Sequence, residues 1–90
     1  MPTSSPRHGD DPVVTIVFDE YNHHNRAVAR VHWNGTTVVG RGLSRLDADD
    51  EAERRVGEKL ALARALSHVV RQLFTDAAID IEAIATVRSA

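Results

Sequence analysis

The chain has 90 residues, no cysteine, and a formal net charge of −2 from 11 basic and 13 acidic side chains. So short a chain buries only about 60% of its unfolded surface, which allows one small domain with a thin core. The missing thiols exclude disulfide staples and thiol chemistry, and the charge balance excludes a protein that collects polyanions by bulk charge.

Residues 1–12, MPTSSPRHGDDP, hold all three prolines and no apolar period. Such a segment cannot bury enough to offset its ordering entropy, so it is expected to be a disordered tail ahead of one α+β domain spanning 13–90. VVTIVFDE alternates Val14, Ile16 and Phe18 against Val13, Thr15 and Val17, the period of a strand that is apolar on nearly both faces. YNHHN is a polar turn. RAVARVHW then sets Ala27, Ala29, Val31 and Trp33 on one face and Arg26, Val28, Arg30 and His32 on the other. Asn34-Gly35 is a strong signal for a type I′ hairpin. The returning strand, TTVVGRGL, carries Gly40 and Gly42 on one face, where absent side chains let another backbone approach. A three-stranded antiparallel meander over about 13–45 is therefore predicted, with Phe18 and Trp33 in its core.

Beyond an acidic run the period changes to 3.6. In EKLALARALSHVVRQLF the predicted core stripe is Leu62, Ala65, Leu66, Val69 and Leu73, with Ala63, Val70 and Phe74 as a second apolar flank. Asp49 or Asp50 is the expected cap, and Gly57 should leave residues 51–56 loosely helical. DIEAIATV, with Asp80 as its cap, is expected to form a separate short C-terminal helix. The helix ending near Phe74 should cover one face of the sheet. Val13, Val17 and Val28 point to the other face, so a homodimer is expected.

Charge is sorted into blocks. Residues 26–45 carry four arginines and no carboxylate, residues 47–53 carry five carboxylates and no base, and residues 54–74 carry five bases against Glu58. The candidate nucleic-acid contacts are Arg26, Arg30 and Arg41 on the sheet, with Arg45, Arg54, Arg55 and Lys59 around the acidic loop, because phosphate binding needs only positive charge tracking a backbone. The alternative is a homodimeric protein-interaction module that binds no nucleic acid. His23-His24 near Asp19 and Glu20 lacks metal-ligand spacing, and no nucleophile elbow or phosphate loop is present. No metal, cofactor or enzymatic activity is expected. Nor does any apolar run approach the roughly 18 residues of a membrane span, so a cytoplasmic protein without a membrane partner is expected.

GRGLSR, joining the last strand to a helix, resembles the double-stranded-RNA-binding domain at Gly40, Gly42, Ser44 and Arg45. Where that family continues with basic residues, this chain has Leu46 and the acidic run from Asp47 to Glu53. A resemblance covering nearly the whole chain from Val13 rests on RAVARVHW, VVGRGLSRLDADD, VGEKLALARALSHV and DIEA. These are similar to a family of small actinobacterial proteins of unknown function with a double-stranded-RNA-binding-like fold. Several members of that family belong to hypoxia and dormancy responses, and one has been likened to ribosome hibernation factors. The resemblance implies a stress-associated protein that binds the ribosome or structured RNA.

Overall fold

The structure, a computed structural model, describes residues 11–89. Three strands, β1 (Val13–Tyr21), β2 (His24–Trp33) and β3 (Thr36–Asp47), form an antiparallel sheet in the order β1-β2-β3. One helix, α1 (Glu51–Ser89), follows. Both hairpin turns place their central residues at positive φ, Asn22 and His23 in the first and Asn34 and Gly35 in the second. That backbone matches the right-handed twist of the flanking strands, as a type I′ turn does. All but the last two residues of the expected disordered tail lie outside the described residues.

The register pairs Ile16 with Ala29 and Phe18 with Ala27 across β1 and β2, and Ala29 with Gly40 and Ala27 with Gly42 across β2 and β3. These residues form the face on which α1 lies. A methyl group added at Gly40 would overlap the Ala65 carbonyl oxygen, and one at Gly42 the Ala61 carbonyl oxygen. The glycine pair thus admits the helix backbone directly against β3, as the spacing predicted. The core is correspondingly small-residue: Ala27, Ala29, Val38, Ala61, Ala65 and Val69.

This closeness corrects the predicted helix phase. The buried helical positions are Gly57, Ala61, Ala65 and Val69, a row of four-residue steps. Leu66, placed in the core by the sequence pattern, is 37% exposed, and Leu73 is also exposed. Ala65 and Val69 are buried as expected, but otherwise small residues face the sheet because they allow the shortest approach, and Leu62 and Leu66 fall to the side. Phe18 and Trp33 are likewise about half exposed rather than core.

Two further expectations change. Gly57 does not loosen the first turns. It is buried where an added Cβ would meet the Asn25 amide, so it lets a regular helix pass over β2. Asp50 is the cap, its Oδ1 accepting the Glu53 N–H at 3.0 Å. Nor is there a separate C-terminal helix. Thr75-Asp76-Ala77-Ala78 contains neither Gly nor Pro, and α1 runs unbroken through Asp80 to Ser89. At about 1.5 Å per residue its 39 residues reach roughly 58 Å, so its last turns extend past the β2–β3 hairpin.

Candidate interaction surfaces

The seven predicted cationic residues do not converge. Arg26, Arg30 and Arg41 share the sheet face opposite α1. Arg41 stands across from Val28 and thus diagonal to both Arg26 and Arg30. Arg26 is already engaged: its Nε and Nη2 donate to the two carboxylate oxygens of Asp19 at 2.7 and 2.6 Å, and its guanidinium lies 5.6 Å from the centre of the Tyr21 ring. The hydrogen bonds from Arg26 hold the Asp19 carboxyl below its ordinary pKa and raise that of Arg26. Arg30 and Arg41 make no ion pair among the described residues. Arg45 is exposed in the irregular part of β3, where the pairing with β2 slips between His24 and Arg26.

The other three lie on α1. Arg54 is exposed, and its carbonyl accepts a hydrogen bond from the buried Asn25 amide at 3.2 Å. Arg55 reaches Glu51 at 3.4 Å. Arg55 and Lys59 line a shallow hollow with Phe18 and Leu62, on the β1 side of the helix. The helix cations are therefore on one side of the sheet and the strand cations on the other. His23 pairs with Asp49 at 3.1 Å, and the His23 carbonyl accepts the Ala48 N–H at 2.8 Å, so the histidine turn fastens the acidic loop. Among the described residues no three His, Asp or Glu side chains converge as a metal site would.

The larger exposed feature is apolar. Every residue of β1 is exposed, although Val14, Ile16 and Phe18 lie on the same sheet face as the helix and are 54%, 38% and 44% exposed. The helix sits over β2 and β3 and leaves this row exposed, with Leu62 and Leu66 along its nearer flank, while Leu73 lies over the β2–β3 hairpin beside Val31, Trp33 and Val38. Past the hairpin, Ile81, Ile84 and Val87 are exposed on the overhanging turns. Exposed apolar side chains are thus gathered along β1 and the adjacent flank of α1, and again on the overhanging turns. They were legible as apolar residues, but the sequence pattern assigned several of them to the core.

Sequence reasoning also missed Asn25, and it named Ser44 without expecting its burial. Both are buried against Gly57, where the first turns of α1 cross the sheet. The Ser44 hydroxyl accepts the Leu46 N–H at 3.1 Å. The signal was a polar residue in an otherwise inward-facing row of small residues.

The family model described as Rv2632c-like matches residues 11–90, and the chain belongs to that family. It is 42% identical to the uncharacterized protein Rv2632c of Mycobacterium tuberculosis over 81 residues, 90% of this chain and 87% of that protein. It is 38% identical over 71 residues to the uncharacterized protein Mb1767 of Mycobacterium bovis, covering 79% and 76% of the two chains. The crystal structure of Rv2632c is similar in fold, with a TM-score of 0.72 over 88% of this chain and 94% of that one.

Proposed function

We propose that this member of the Rv2632c-like family is a non-enzymatic interaction module that works by associating with a second copy of itself. The observation that carries the reading is the exposed apolar row of Val14, Ile16 and Phe18 beside the leucine flank of α1. Burial of apolar surface is worth about 25 cal/mol per Å², and stable monomers rarely leave so large a share of theirs open. A two-fold arrangement is the commonest way to cover such a surface. Sedimentation equilibrium across the micromolar range tests the reading: a reversible dimer is expected, and a monomer at all concentrations would overturn it.

A second reading rests on Arg30 and Arg41, which share the open sheet face without an ion pair among the described residues, and on Arg45 nearby. They offer contacts to a phosphate backbone, which is the chemistry needed to bind the ribosome or structured RNA. The resemblance to double-stranded-RNA-binding domains and to dormancy-associated proteins favours the same partner. Three phosphate contacts would give a salt slope of about −2 to −3 in log–log form. Binding that ignores salt, or that survives Arg30→Ala with Arg41→Ala, would remove this reading.

A further inference from the structure

The sheet has two edges, and the structure treats them differently. Along the outer edge of β3, three side chains of α1 at four-residue spacing occupy the backbone groups that a neighbouring strand would use. Arg64 Nη1 donates to the Leu43 carbonyl at 2.7 Å, the Arg41 N–H donates to His68 Nδ1 at 3.0 Å, and Gln72 Nε2 donates to the Val39 carbonyl at 2.6 Å. Residues 39, 41 and 43 therefore point outward, and 38, 40 and 42 bond to β2. Alternation in an antiparallel ladder then directs the backbone of Val28 and Arg30 toward β1, where they pair with Val17 and Thr15. It follows that the N–H and C=O groups of Val14, Ile16 and Phe18 face away from the sheet along the β1 edge. No charged residue or proline interrupts Val13–Phe18, the devices that usually blunt an edge.

We propose that β1 pairs antiparallel with β1 of a second copy about a two-fold axis at Ile16, joining two sheets into one of six strands. The proposal deepens the self-association reading and rests on it. In this register Ile16 faces its own copy and Val14 faces Phe18, so all three outward-bonding pairs are apolar. The charges of the strand favour the same arrangement. Asp19 and Glu20 sit at one end of β1, so antiparallel pairing sends them to opposite ends of the joint, whereas parallel pairing would oppose like charges. The joined strands would form an apolar floor between the two helices.

The test measures solution mass by light scattering for the parent and for Ile16→Pro. The substitution removes an outward N–H and no bond to β2, a position where an edge strand tolerates proline. The parent is expected at twice the 9.9 kDa chain mass, and folded Ile16→Pro at the single mass. A dimeric, folded Ile16→Pro would overturn the edge pairing and leave the self-association reading intact. A monomeric parent would overturn both. Should Ile16→Pro fail to fold, Ile16→Cys decides, because the chain has no other cysteine. Mild oxidation is expected to link most of it as a covalent dimer, while Glu20→Cys is not. Equal linking of the two would overturn the register.

Discussion

Gly42 and Gly40 set the distance between helix and sheet, and a single methyl group at either would press on a helix carbonyl. Gly42→Ala is expected to destabilise the domain by about 1–3 kcal/mol, the range for overpacking a tight contact, read as a lowered urea midpoint. Leu66→Ala should cost less, since Leu66 is on the flank. Asp19 and Arg26 give a pH signature. The folded Asp19 carboxyl titrates below its ordinary value, so the pair adds stability above about pH 4 and loses it as pH falls through the lowered folded value. Both groups reach solvent, so the effect is small. Melting curves of the parent and Asp19→Asn should differ near neutrality and converge at low pH. A gap that widens on acidification would show that the pair does not contribute in this way.

The strands were legible in the sequence because alternation and Asn34-Gly35 report backbone directly, and the two glycines announced the close approach. The phase of α1 was legible only in part: Ala65 and Val69 are core as expected, whereas Leu66 is not. Hydrophobic patterning weights large side chains, and here the face against the sheet is Gly57, Ala61, Ala65 and Val69. Closeness of backbones replaces side-chain volume, so Leu62 and Leu66 are displaced to the flank. The candidate cations were legible as residue types but not as a surface, since their grouping depends on which side of the sheet each element presents. At the far end of α1, residues 81–89 are exposed throughout. Ending the chain after Asp80 is therefore expected to change monomer stability by no more than about 0.5 kcal/mol, with a loss of helical ellipticity in proportion to the residues removed. A large fall in melting temperature would show that the overhang supports the fold.

At the scale of the molecule, α1 has two sides with opposite roles. One side seals the β3 edge through Arg64, His68 and Gln72, and among the described residues the other leaves the β1 edge and its apolar row open. Among the described residues, one edge is closed by three directed hydrogen bonds and the other carries none, so the proposed strand addition has a defined direction. Amide hydrogen exchange at two protein concentrations tests this most directly, with Ile16 and Arg41 as the reporters. The expected result is an Ile16 amide whose protection rises with concentration, while that of Arg41, bonded within its own chain, stays unchanged. An Ile16 amide that exchanges equally fast at both concentrations would contradict the account.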